Sequence, residues 1–408
     1  MTIGQLGMKH PSLSGMVTAI KTRISRVALH YRFSAAAAAF LLKCLHFVLH
    51  QKFCSLGQIN TKLLRPFRRV LIADSSSWDI SEKLRSVLPG YGGAASAASC
   101  KLQVVYDYKH GELRFLDMTA GTVPDNRYTN HLPDMLQRGD LLLIDQGYFK
   151  INTLANIITK GAFFLTRFLV HTILKDAITH APINLAKYLH RIQGNACEVN
   201  VLMGGEGKMP QVACRLIALR VSEQVANERR RRLKKEAKKK RRSASVYHLG
   251  LCDWTLLITN VPQRWLPLEM ARAFYTVRWQ VELLFKQLKS ILRIHQSDTG
   301  KENRLRCELY GKLIGAVIIH RIHTVENNRL WNTQNRQVSM EKLYKRFQER
   351  AFTIFCFLLF SAPKAVAYLR DQIKRIIPAC LKGRQPTRLT TLEILQAQYD
   401  PKLVIEKS

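Results

Sequence analysis

Apolar residues follow two rhythms along this chain. Over residues 1 to 65 they recur at helical spacing, with Phe33, Ala37, Phe40, Leu41, Cys44, Leu45 and Val48 on one stripe. From 68 to 167 short apolar and β-branched runs take over. Val70–Asp74, Leu141–Asp145 and Ala162–Phe168 read as buried strands. Leu102–Tyr108 and Leu113–Met118, joined by Lys109-His110-Gly111-Glu112, read as a hairpin. A polar loop, Gly121 to Arg127, leads to a helix near Thr129–Leu136, and a second helix is expected over Asn152–Thr159. The order is a strand, a hairpin, a helix, a strand, a helix and a strand, which predicts a mixed α/β sheet flanked by helices. Residues 181 to 265 then carry the strand-like pieces Cys197–Met203, Gln211–Val221 and Trp254–Ile258, as a β-rich insertion with a basic excursion. The remainder, 266 to 408, reads as helical apart from a polar break around Asn327–Arg336.

Charge says what such a sheet would meet. The 408 residues hold 64 Lys plus Arg against 29 Asp plus Glu, a net of +35. Arg229 to Arg242 alone contributes eleven cations and one Glu. The surplus outside that run is still large, so the basicity is global, and polyphosphate is its natural partner. Hydrophobic content of 47% supports a real core rather than disorder. No apolar stretch approaches the length of a spanning helix, and the N-terminus shows no signal-peptide core, so a membrane partner is not expected. Nine cysteines, scattered without a CxxC pair, fit a reduced cytoplasmic protein. Cys44, His46, His50 and Cys54 match no common zinc spacing and read as helix packing.

Three carboxylates then stand out. Asp74 ends the run Val70-Leu71-Ile72-Ala73, and Asp145 ends Leu141-Leu142-Leu143-Ile144. Strand tips of open sheets are where ligands meet the protein, and an ionised carboxylate buried there is costly without a cation or donor. Glu282 belongs to a helical segment that starts near Tyr275. At 100° per residue from Tyr275, Arg278, Glu282, Lys286 and Lys289 fall at about 300°, 340°, 20° and 320°. They share one stripe, opposite Val277, Val281, Leu284, Leu288, Ile291 and Leu292. A solvated, salt-bridged face would explain Glu282 with Lys286. The phenol and guanidinium on the same stripe suit a phosphate clamp instead.

The spacing Tyr275-x2-Arg278-x3-Glu282-x6-Lys289 resembles the Tyr-Arg-Glu-Lys signature of bacterial DDE transposases of the insertion-sequence-four family. Asp74-Ser75-Ser76-Ser77, Asp145-Gln146-Gly147-Tyr148, Phe164-Leu165-Thr166-Arg167 and Trp254 to Pro262 are similar to other stretches of that family, over roughly residues 65 to 325. The resemblance implies a ribonuclease-H-like core with a β-rich insertion before the Glu helix. It implies cut-and-paste transposition through nicking, a hairpin on the element end and strand transfer, by a homodimer on paired terminal inverted repeats, in the bacterial cytoplasm at the nucleoid. Two Mg²⁺ ions, replaceable by Mn²⁺, would be shared by Asp74 as bridging ligand, Asp145 and Glu282. Tyr275, Arg278, Lys286 and Lys289 would contact DNA phosphates near the scissile bond. Trp254, 21 residues before Tyr275, would hold a flipped base, or it packs inside its strand. Arg230, Arg231, Lys234 and Lys235 would grip DNA non-specifically, unless the run is a solvated loop.

These readings divide the chain into a helical N-terminal region (1–65, expected to bind DNA ends), a first core part (66–180), the insertion (181–265), the catalytic helix and end of the core (266–325), and a helical C-terminal region (326–408) assigned to dimerisation by elimination. A catalytically silent DNA-binding relative and another ribonuclease-H-like nuclease are the alternative functions. Asp140, ahead of its strand, is expected to cap it or to be solvated. His320 and His323 are expected to pack.

Overall fold

The computed structural model describes residues 13–20, 24–51, 62–205, 207, 209–297, 299–383 and 390–396. Cys54 lies outside them. Nine strands form one mixed sheet: β1 Val70–Asp79, β2 Ser99–Asp107, β3 Glu112–Ala120, β4 Leu141–Ile144, β5 Phe163–Arg167, β6 Leu174–Asp176, β7 Ala196–Gly204, β8 Gln211–Arg220 and β9 Trp254–Thr259. The order is β3-β2-β1-β4-β5-β9-β8-β7-β6. The first five in that order match a ribonuclease-H-like sheet, as the resemblance implied. Val70 to Ala73 and Leu141 to Ile144 are at most 1% exposed, which is why both read as continuous apolar runs.

The helices are α1 Leu13–Ile20, α2 Arg26–Tyr31, α3 Ala35–His50, α4 Asp125–Tyr128, α5 Leu132–Met135, α6 Ile151–Thr159, α7 Leu185–His190, α8 Glu223–Lys239, α9 Val246–Leu251, α10 Ala271–Thr276, α11 Trp279–Ser290, α12 Glu302–Gln334, α13 Met340–Phe360, α14 Ala362–Ala379 and α15 Thr391–Gln396. The chain resolves into two compact units, one of 1–59, 74–123 and 280–386, the other of 60–73, 124–279 and 387–408.

In the first unit the hairpin is as expected, with Tyr106 facing Leu113 and Asp107 facing Glu112. Gly111 closes it at φ 65°, and a side chain there would meet Thr324, whose hydroxyl donates to the Gly111 carbonyl at 2.7 Å. Met16, Leu29, Phe33 and Ala38 from the N-terminal helices form one core cluster with Cys307 of α12. The expected stripe on α3 faces inward except at Phe40: Leu45 is buried, Ala37 and Leu41 pack against that cluster, and Cys44 and Val48 are half-buried, while Phe40 is 65% exposed. The polar break expected at Asn327–Arg336 is displaced. α12 runs through it to Gln334 and ends where Asn335 adopts the left-handed conformation, because Asn327 and Asn328 are buried polar positions rather than a loop.

In the second unit β1 and β4 pair in parallel from Val70↔Leu141 to Ala73↔Ile144, and β4 pairs in parallel with β5. Trp254–Thr259, read as part of an insertion, pairs antiparallel with both β5 and β8. The strands of 181–265 thus extend the main sheet. The basic run is neither loop nor strand but the body of helix α8.

Candidate active site

Parallel register fixes where two of the carboxylates begin. Ala73 pairs with Ile144, and Asp74 and Asp145 are the residues that follow. Asp74 is not the strand's end: β1 continues through Ser75, Ser76 and Ser77 to Asp79. It is half-buried, and one of its oxygens accepts the Ser75 amide at 2.8 Å. Asp145 does follow a strand end, with its side chain 42% exposed.

Within the second unit Asp145 has a phenol and a guanidinium beside it. The Tyr275 hydroxyl lies 3.5 Å from Asp145 Oδ1 and 3.4 Å from the Ile144 carbonyl, both long for hydrogen bonds. Arg278 Nε stands 3.9 Å from the same oxygen. The Arg278 guanidinium also lies over the rings of Tyr275 and Trp279, at 5.8 and 5.4 Å. Burial, assisted by Asp145 and opposed by Arg278, pushes the Tyr275 phenol up to about 12, so it serves as a proton donor at neutral pH.

The helix expected to run unbroken from Tyr275 to Lys289 is two pieces. Val277 and Arg278 form the turn between α10 and α11, where the amides of both reach carbonyls only three residues back. That tightening turns Tyr275 and Arg278 inward, 5% and 6% exposed, and leaves Trp279 half exposed. Trp279 escaped the sequence reading, although on the same wheel it falls at about 40°, at the edge of the chemical stripe.

In the first unit Glu282 sits half-buried in the first turn of α11, whose core face is Val281, Leu284, Phe285 and Leu288. Lys286 is exposed. Lys289 donates to the Ser77 carbonyl at 2.9 Å and lies over the Trp78 ring, and burial lowers its pKa. The lysine expected on a phosphate is thus tied to the serine run after Asp74.

Asp140 differs from the expectation that it caps or is solvated. It has no exposure, and it binds Arg69 and the Gln137 amide. Trp254 opens β9 at 5% exposure, with the Arg220 guanidinium 4.5 Å over its ring. It borders a cavity of about 520 Å³ with Gln146, Arg167, Arg229, Arg232 and His248. Arg229 donates to the Trp254 carbonyl at 2.8 Å and to Thr255 Oγ1 at 3.1 Å, and Arg230 pairs with Asp253. Of the four run residues named from the sequence, Arg230 is therefore partly committed to the fold, while Arg231, Lys234 and Lys235 are exposed.

Among the described residues no three His, Cys, Asp or Glu side chains are grouped closely enough to hold a metal ion. Carboxylate oxygens are nevertheless the donors that a hard divalent cation takes. Asp145 in particular is open to solvent, and its Oδ1 meets its two protein partners only at 3.5 and 3.9 Å. Among the described residues no helix is long and apolar enough to cross a membrane.

Residues 65–318 match the family model described as transposase DDE domain. The chain is 27% identical over 350 residues to the transposase for insertion sequence element IS231F of Bacillus thuringiensis subsp. israelensis, covering 82% of this chain and 73% of that one. It is 28% identical over 348 residues to the IS231C transposase of Bacillus thuringiensis subsp. berliner, covering 81% and 72%. To the transposase for IS1151 of Clostridium perfringens it is 26% identical over 353 residues, covering 82% and 74%. Among solved structures, the cryo-EM structure of piggyBac transposase in a synaptic complex with hairpin DNA aligns with a TM-score of 0.48 and 11% identity, covering 94% of this chain and 76% of that one.

Proposed function

This chain belongs to the DDE-domain transposases, and from that premise we propose that it carries out cut-and-paste transposition with Asp74, Asp145 and Glu282 as the ligands of two Mg²⁺ ions. It is an enzyme of DNA cleavage and strand transfer, and DDE domains generally work with divalent metal. When bound, such ions supply an activated attacking oxygen and charge on the leaving oxygen. The observation that carries the reading is the register: Asp74 and Asp145 each follow directly on the paired Ala73↔Ile144 positions.

The residues around the carboxylates then have distinct tasks. Tyr275, kept protonated, and Arg278 orient Asp145 from one side and leave the rest of it open. Arg278 also presents its guanidinium to a phosphate. Lys289 holds the Ser77 carbonyl, which steadies the segment next to Asp74. Lys286 and the exposed Arg231, Lys234 and Lys235 take phosphates along the DNA, mostly as point charges. We assign Trp254 to a flipped base, a role that requires its ring, 5% exposed and covered by Arg220, to be uncovered when DNA binds; stacking there contributes about 1–3 kcal/mol. The ends of the element and the target are the DNA partners, met by a homodimer.

The test is cleavage of a labelled duplex carrying the element's own terminal repeat. The expected products are a nick at the element end and then a hairpin, formed with Mg²⁺ or Mn²⁺ and lost in Asp145→Asn. Trp254→Ala should nick normally and form hairpins slowly. Metal-independent cleavage, or hairpins at the wild-type rate in Trp254→Ala, would refute the corresponding part.

A further inference from the structure

Helix α11 ends in a turn that buried charges on α12 hold in place. The Ile291 and Leu292 amides close on the Gln287 carbonyl, and the Ile294 amide closes on Leu288, the residue before Lys289. Between them Arg293 has φ 50°, a left-handed conformation uncommon for a residue other than glycine. The carbonyl of this residue is held by Lys312, which is 3% exposed and donates to it at 2.8 Å. One turn earlier on α12, Glu308 is equally buried and accepts Ser297 Oγ and Arg304 Nε, both at 2.8 Å. Ser297 belongs to the same connecting loop, so α12 grips that loop at two points.

None of these groups has a place in the chemistry proposed above. Burial pushes Lys312 down to about 8 against the opposing pull of Glu308. Buried charges of this kind stabilise no better than apolar residues of similar size would. What an apolar pair cannot supply is a donor for the Arg293 carbonyl.

We propose that Lys312 is a positioning residue for strand cleavage and transfer: through the Arg293 carbonyl it fixes the turn ending α11, and so the rotation and height of the helix presenting Lys289 and Glu282. This rests on the reading of Glu282 as a metal ligand. At the far end of the same chain of contacts, Lys289 reaches the Ser77 carbonyl, three residues beyond Asp74.

The experiment uses the full-length protein and three variants, Lys312→Met, Glu308→Gln/Lys312→Met and Glu282→Gln. Joining rate at saturating element-end DNA, Kd for that DNA, thermal midpoint and Mn²⁺ affinity by calorimetry are measured for each. The double variant removes both buried charges of α12 and keeps an acceptor oxygen at position 308 for Arg304 and Ser297, so it is expected to melt close to wild type and to bind DNA as wild type does. Its joining rate and Mn²⁺ affinity are expected to fall about tenfold to a hundredfold, as for other residues that orient a metal ligand. It decides the matter even where Lys312→Met fails to fold. Wild-type joining and Mn²⁺ binding in the double variant, with Glu282→Gln inactive, would overturn the positioning role alone. Wild-type joining in Glu282→Gln would overturn the metal-ligand reading and the proposal with it.

Discussion

Asp140 and Asp145 lie five residues apart at opposite ends of one short strand, and only the second is available to a cation. Asp140 is wholly buried against Arg69, whose guanidinium also reaches the Met135 carbonyl at 2.9 Å. Removing one partner of such a pair strands the other charge, so Arg69→Met is expected to lose about 3–5 kcal/mol in urea unfolding. Asp145→Ala, at a half-open carboxylate, should change stability little while abolishing chemistry. His320 adds a pH dependence. It packs between Tyr106 and Tyr344, and neither of its ring nitrogens has a hydrogen-bond partner among the described residues. Burial pushes it down to about 3, and its neighbour His323 to about 4, from the usual 6.5. The unfolded chain therefore takes up protons that the folded one refuses. Stability is fully present above about pH 6.5 and falls as pH drops toward these values. The thermal midpoint should fall between pH 7.5 and pH 5, and less so in His320→Phe; equal slopes for the two proteins would contradict this. Which Asp is open could be read from the sequence only in part. The apolar runs mark both strand ends, but the Arg69 partner is 71 residues away and leaves no local sign.

Helix α8 shows what an element can hide. Its sequence is so dense in charge that no apolar stripe is visible, and only Ala226 and Ala237 are buried along it. The helix nevertheless has two faces. Arg229, Arg232, Leu233 and Glu236 border the cavity beside Trp254, while Arg231, Lys234, Lys235 and Lys238 point to solvent. Replacing Arg231, Lys234 and Lys235 by Ala should weaken DNA binding for all sequences alike and flatten its salt slope by about one unit for each phosphate left without its cation. The same change in Arg229 should instead disturb β9, read as a lower thermal midpoint, since its bonds go to Trp254 and Thr255. An unchanged salt slope in the triple variant would remove this helix from the DNA path. The break between α10 and α11 was equally hidden, because Val277 and Arg278 carry neither Gly nor Pro to announce it. The β2–β3 hairpin was legible because its runs and its glycine are local signals.

At the scale of the whole molecule, strand identity came from the sequence while strand partnership did not. Trp254–Thr259 reads as a strand from its residues alone, but nothing local says that it joins β5 to β8. Those pairings bring together residues about 90 apart for Thr166↔Ile258, set by tertiary packing rather than by propensity. The net charge of +35 acts at this scale too, drawing any DNA toward the protein before particular contacts select it. The central claim is that Asp74, Asp145 and Glu282 form one metal-dependent centre for joining DNA. The most direct measurement joins a pre-cut element end to supercoiled target plasmid, with Mg²⁺ or with EDTA, using wild type and Asp74→Asn, Asp145→Asn and Glu282→Gln. Joined product only with Mg²⁺, and none from any of the three variants, is the predicted result. Joining in EDTA, or at the wild-type rate in any one variant, would contradict it.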